Sequence, residues 1–157
     1  MNDHQKRRFA AKMVKTLYNT VSGKQIAMLG WAFKKDTNDT RESASIYVAD
    51  YLLNEQASVV VYDPKVTEEQ ILADLDYLGT RSEAENRALI TVVNSAEAAC
   101  DQAHAIAIMT EWDAFKDLDW NAIYAHMLKP AFLFDGRRLL DRKVLEEIGF
   151  DFYAIGS

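Results

Sequence analysis

Four short apolar runs limit the folds open to this chain: Ile26-Ala27-Met28-Leu29, Val59-Val60-Val61-Tyr62, Ala105-Ile106-Ala107-Ile108-Met109 and Ala131-Phe132-Leu133-Phe134. None alternates apolar with polar residues, so each predicts a strand covered on both faces, the habit of a parallel sheet between two layers of helices. Parallel neighbours need crossovers, and amphipathic stretches stand where crossovers belong. Ile46, Ala49, Tyr51, Leu52 and Leu53 recur at helical spacing from about Glu42 to Asn54, and a second helix is expected from about Trp120 to Met127, ended by Lys129-Pro130. Leu89–Val93 and Phe150–Ile155 add shorter strands, the last preceded by a helix over Arg142–Ile148 that Gly149 stops. The expected fold is α/β, a Rossmann-like three-layer sandwich with a mainly parallel sheet of about five or six strands. At 157 residues the chain is long enough for one such domain and too short for two of ordinary size.

Outside this alternation, Phe9, Met13, Val14, Leu17 and Tyr18 form the apolar stripe of a helix from His4 to Thr20, with Lys6, Arg7, Arg8, Lys12 and Lys15 on its other face. Thr67–Asn86 is acidic and weakly periodic, which predicts a solvated excursion around a helix centred on Gln70-Ile71-Leu72. A net charge of −6 argues against nucleic acid or an anionic membrane as partner, since both call for a basic face. No apolar run approaches the ~20 residues of a membrane helix, and the polar start lacks the core of a secretory signal. A soluble, cytoplasmic protein is expected. The single cysteine, Cys100, cannot form an internal disulfide, and with no histidine placed to activate it, it is expected to pack at the end of a short helix over Ala96–Ala99 capped by Ser95. With His4, His104 and His126 scattered, no metal-ligand spacing appears.

The stretch from Gly30 to Ser43 joins the first strand to its helix and so lies at the carboxyl edge of the sheet, where open α/β folds bind ligands. Lys34, Lys35 and Arg41 would stand near a helix N-terminus, capped by Thr40 or Ser43, which together favour a phosphate-bearing ligand. The opposing possibility is that Asp36, Asp39 and Glu42 neutralise them. Thr110-Glu111-Trp112-Asp113 and Asp135-Gly136-Arg137-Arg138 follow later strands directly and reach the same edge. Arginine there suits pyrophosphate, because its planar fork makes paired hydrogen bonds. Trp112 is placed either to stack on a ring or to close the core, and Asp63 either to hold a ribose hydroxyl or to shape the turn before Pro64. The GxGxxG fingerprint is missing: only Gly30 is in place, so a dinucleotide held wholly by this domain is not expected.

Gly30-Trp31-Ala32-Phe33-Lys34-Lys35-Asp36-Thr37-Asn38-Asp39-Thr40-Arg41-Glu42-Ser43 resembles the signature of the C-terminal nucleotide-sugar-binding domain of the UDP-glucose 6-dehydrogenase family, eukaryotic type. The resemblance continues in order through Met1-Asn2-Asp3-His4-Gln5-Lys6-Arg7-Arg8-Phe9, Tyr62-Asp63-Pro64-Lys65, Thr110-Glu111-Trp112-Asp113 and Phe134-Asp135-Gly136-Arg137-Arg138. It implies an enzyme that oxidises UDP-glucose to UDP-glucuronate in two steps, with two NAD⁺ and a thioester on a cysteine. Cys100 is not in the family's cysteine motif, so no catalytic residue is assigned, and the chain alone is expected to be inactive. Residues 1–157 are expected to be one C-terminal domain standing alone from Met1. Residues 1–22 would be a leading helix from a missing central domain, and 23–157 the α/β domain proper. By the same resemblance Phe33, Lys34 and Arg137 bind the UDP-sugar. Arg41 reaches across the cleft to the phosphates of an NAD held mainly by an absent N-terminal domain. Asn38 stands where many members have glycine. The partners implied are UDP-glucose or UDP and the missing domains, with the whole enzyme a homo-oligomer. Alternatives are a GDP-mannose-type member, an oligomerisation piece, or a receiver-like regulatory module, which would need acids where Gly30-Trp31-Ala32 stand.

Overall fold

The computed structural model describes residues 2–155; Met1, with which the N-terminal motif opens, lies outside them. In chain order the elements are α1 (Asp3–Thr16), β1 (Gln25–Leu29), α2 (Ala44–Asn54), β2 (Ser58–Tyr62), α3 (Glu68–Leu78), α4 (Glu83–Leu89) and β3 (Ile90–Val92). There follow α5 (Ala96–Cys100), β4 (Ala105–Ile108), α6 (Asp113–Lys116), α7 (Trp120–His126), β5 (Phe132–Asp135), α8 (Arg142–Ile148) and β6 (Asp151–Ala154). The sheet has six strands in the order β3-β2-β1-β4-β5-β6, and every pair is parallel. The chain winds outward from β1 to β3, then returns to lay β4 on the other side of β1, so the strand order reverses between β1 and β4. Register sets the loops level: Leu29 pairs with both Tyr62 and Ile108, and Ile108 pairs with Asp135. The segments after β1, β2, β4 and β5 therefore leave the sheet from one row.

The runs buried on both faces are where expected, with Ile26 to Leu29 and Ala105 to Ile108 fully buried. α1 gives Phe9, Ala10 and Met13 to the core, and Leu17 follows from its C-cap. Phe9 lies on Gly136, where a Cβ would come within 2.6 Å of its ring, so the turn after β5 is glycine because α1 crosses it.

Four boundaries differ from expectation. α1 stops at Thr16 rather than Thr20, because Tyr18 and Asn19 take left-handed backbone. α2 begins at Ala44, not Glu42, whose φ is +63°. The acidic excursion holds a second helix, α4, started by a capping box between Ser82 and Glu85, which shortens the next strand to β3. The short α6, after β4, was also not expected. Nor is the excursion merely solvated. Arg81, with 7% of its side chain exposed, donates to Asp50 Oδ1 (2.5 Å) and Asn54 Oδ1 (2.6 Å) on α2, and to Asn86 Oδ1 (3.0 Å) on α4. Buried Asn86 passes the network on to Asp76 of α3 (3.0 Å). Among the described residues no helix is long and apolar enough to cross a membrane.

Candidate functional site

The loop after β1 is built by consuming its own polar backbone. Gly30 has φ +102°, and a Cβ there would lie 2.4 Å from the Thr110 side chain, so only glycine lets β1 and the β4 loop approach. Gly30 N–H donates to the Tyr62 carbonyl (2.8 Å), and the N–H groups of Trp31 and Ala32 both donate to Asp63 Oδ2 (2.7 and 2.9 Å). Three hydroxyls cover the carbonyls: Ser45 on Gly30 (2.9 Å), Ser43 on Trp31 (2.7 Å) and Thr110 on Ala32 (2.8 Å). Phe33 N–H then reaches the Asp39 carbonyl (2.8 Å), closing an exposed bend of residues 33–39 above this buried base.

Asp63 decides two alternatives. Its carboxylate accepts from Trp31, Ala32, Lys65 and Val66 N–H and from Trp112 Nε1 (3.2 Å), five donors on two oxygens, so it shapes the turn and has no acceptor left for a ribose. Trp112, held by that bond and 6% exposed, closes the core rather than stacking on a ligand.

The cations do not gather at the start of α2 as expected. Ser43, not Thr40, caps that helix by accepting from Ser45 N–H (3.2 Å), and two of the three loop cations turn elsewhere. Lys35 Nζ faces Asp113 Oδ2 at 3.5 Å, across the gap to the β4 loop. Arg41 folds back onto Asp39 in a paired contact (Nε–Oδ1 3.0 Å, Nη2–Oδ2 2.8 Å), and that guanidinium pulls the Asp39 carboxyl down to about 2. Arg41 remains 87% exposed and shares a shallow hollow of about 360 Å³ with Phe33, Asp39 and Glu42. Lys34 is exposed and, among the described residues, has no carboxylate within 4.0 Å; Arg138 is likewise unpaired, on left-handed backbone at φ +53°.

Arg137 comes to the same edge from β5. Buried Asp135 fixes the turn that carries it, accepting Arg137 N–H at 3.0 Å on one oxygen and Leu140 N–H at 2.8 Å on the other. Its guanidinium is paired with Glu111 Oε2, while Glu111 Oε1 accepts Lys35 N–H at 2.9 Å. Burial alone would raise the Glu111 carboxyl, but hydrogen bonds from its own N–H, Arg137 and Lys35 outweigh burial and hold it below the usual range. The structure thus brings the Lys34–Lys35 bend and Arg137 together and leaves Arg41 apart from them. Glu111 was missed as a site residue; the available signal was an acid directly after β4, level with two basic loops.

Residues 27–142 match the UDP-glucose/GDP-mannose dehydrogenase family, UDP binding domain. The chain belongs to this family. It is 52% identical to UDP-glucose 6-dehydrogenase of Rattus norvegicus over 159 residues, an alignment that covers all of this chain and 32% of that protein. The Drosophila melanogaster UDP-glucose 6-dehydrogenase is 48% identical, over all of this chain and 33% of its own length. A UDP-glucose dehydrogenase from Pyrobaculum islandicum superimposes with a TM-score of 0.71 at 27% identity, covering 98% of this chain and 30% of that one. The NDP-N-acetyl-D-galactosaminuronic acid dehydrogenase from Methanosarcina mazei gives 0.73 at 25% identity, covering 97% and 28%. The chain spans about a third of the length of these relatives. The family's matched stretch holds Phe33, Lys34, Arg41 and Arg137, whereas α1 and β6 lie outside it.

In this family member Cys100 is 1% exposed and packed in the core, and burial, aided by the charge of Glu97, pushes its thiol far up. The edge also fits a dinucleotide poorly on its own. The N–H groups of Gly30, Trp31 and Ala32, where a glycine-rich loop would cradle a pyrophosphate, are all spent inside the protein.

Proposed function

We propose that this chain is the UDP-sugar-binding domain of a UDP-glucose 6-dehydrogenase, an enzyme that oxidises UDP-glucose to UDP-glucuronate with NAD⁺ as hydride acceptor. One observation carries the proposal: at the carboxyl edge beside the β1/β4 reversal, Lys34, unpaired among the described residues, stands on a bend that Glu111 ties directly to Arg137. Two cations delivered from separate strands to one edge suit a diphosphate, with Arg137 offering its fork and Lys34 a mobile point charge. Phe33, 45% exposed beside Lys34, offers an apolar face to the nucleoside or sugar. Arg41, outside this group and solvent-facing, is the residue available to a cofactor held by another domain, and its Asp39 partner must yield when it engages. The chain itself supplies no thiol for the chemistry, so its part is to bind and orient the sugar nucleotide; alone it reduces no NAD⁺.

The test is titration calorimetry of the 157-residue chain with UDP and with uridine. UDP should bind measurably tighter, and its advantage should shrink as salt rises, because partly exposed charges are screened. Equal heats for the two ligands would remove the phosphate role and the proposal with it.

A further inference from the structure

We infer that Glu111 is the positioning residue of the nucleotide site, a strut whose carboxylate sets the β1 bend and Arg137 at a fixed separation. The inference rests on the function proposed above and goes beyond it, since the family resemblance assigned Glu111 no role. Three elements meet at this side chain. From its own segment, Thr110 Oγ1 holds the Ala32 carbonyl (2.8 Å), so residues 110 and 111 clasp the β1 bend at two points. The second point is the Lys35 backbone N–H, which fixes the place of its covalent neighbour Lys34. From β5, Arg137 gives Glu111 only its Nη2 edge, keeping its remaining donors for a ligand. The pair is sheltered, with 28% and 29% of the two side chains exposed, so it is screened less than a rim contact. The charged group facing Glu111 is Arg137; Lys35 meets it through the backbone N–H alone, its ammonium being turned to Asp113.

A rival role predicts the opposite sign. If Glu111 only neutralised Arg137 until a phosphate displaced it, removing the carboxylate would free the arginine and strengthen UDP binding. If it is a strut, Glu111→Ala lets both loops drift and weakens UDP by about tenfold, or ~1.4 kcal/mol. Glu111→Gln keeps an oxygen for the Lys35 N–H and should recover part of that loss. In an Arg137→Ala background, Glu111→Ala should cost clearly less than it does alone, because the two act as one unit. Tighter binding by Glu111→Ala, or equal losses in both backgrounds, overturns the strut.

A ligand-free measurement decides the geometry independently. In the NMR spectrum, the Lys35 amide and the Arg137 guanidinium should titrate together with the Glu111 carboxyl, and neither should do so in Glu111→Gln. Movement of only one, or of neither, overturns the inference. A wild-type chain that shows joint titration but takes up no UDP keeps the strut and defeats the proposed function instead.

Discussion

Among the five cations on the loops after β1 and β5, pairing separates those that hold the protein together from those left for a ligand. Lys35, Arg41 and Arg137 each meet an acid, at Asp113, Asp39 and Glu111, whereas Lys34 and Arg138 meet none among the described residues. Lys34 and Arg41 lie in one loop but stand differently, the first beside the Glu111 clasp and the second beyond Asp39. Lys34→Ala should therefore weaken UDP binding by one to two decades, since a charge-assisted hydrogen bond contributes roughly 1.5 to 3 kcal/mol and each decade is ~1.4 kcal/mol. Arg41→Ala should leave UDP within about twofold. Calorimetry of both variants makes the comparison, and equal losses would mean that the loop serves one ligand only.

At the level of elements, buried polar side chains do the joining that apolar packing cannot. Asp63 fastens the exit of β1 to the turn after β2 and, through Trp112, to the segment after β4. Arg81 fastens α3 and α4 to α2. Removing one partner of such a sheltered network strands the others without the water they have lost. Arg81→Ala, which leaves the partly buried Asp50 carboxylate and Asn86 unmatched, should destabilise the chain by about 3 kcal/mol. Arg81→Lys should recover only part of this, because a single ammonium cannot reproduce a fork to three partners. Urea unfolding midpoints measure both, and a loss no larger than that of an exposed ion pair would show the network to be peripheral.

Over the whole molecule, the parallel sheet is fastened at the amino ends of its central strands by His104, whose Nδ1 accepts Gln25 N–H at 3.0 Å. Burial, with the nearby charge of Lys24, holds its pKa below the usual 6.5. The unfolded chain then takes up this proton first as pH falls, so stability drops as pH goes down through about 6.5. Asp76, Glu85 and Glu111 are also held below their ordinary values. They contribute stability above the unfolded carboxyl range that is lost as pH falls through their folded values, in the same direction at lower pH. From neutrality downward the urea midpoint should fall in two stages, and His104→Asn, which keeps an acceptor for Gln25, should flatten the first stage only. A midpoint that rises from pH 7 to pH 5.5 would contradict both assignments.

The architecture was legible because burial on both faces leaves a direct mark: unbroken runs such as Ala105–Met109 admit few arrangements besides a parallel sheet with helices on each side. The carboxyl-edge position of the loops after β1, β4 and β5 followed from that alone; the burial of Cys100 was expected from its place at the end of a short helix. The excursion carrying α4 was not legible as structure, because its acidic composition hides that Arg81 and Asn86 are buried partners of distant residues. Nor did the loop sequence say which cation meets which acid. Arg41 finds Asp39 two residues away in its own loop, whereas Lys35 and Arg137 find partners at separations of 78 and 26 residues, and only the register that sets Leu29, Ile108 and Asp135 level decides that those two pairs can form. Local pattern determines where a strand ends; the packing of strands determines what stands opposite that end, and the site is made of those oppositions.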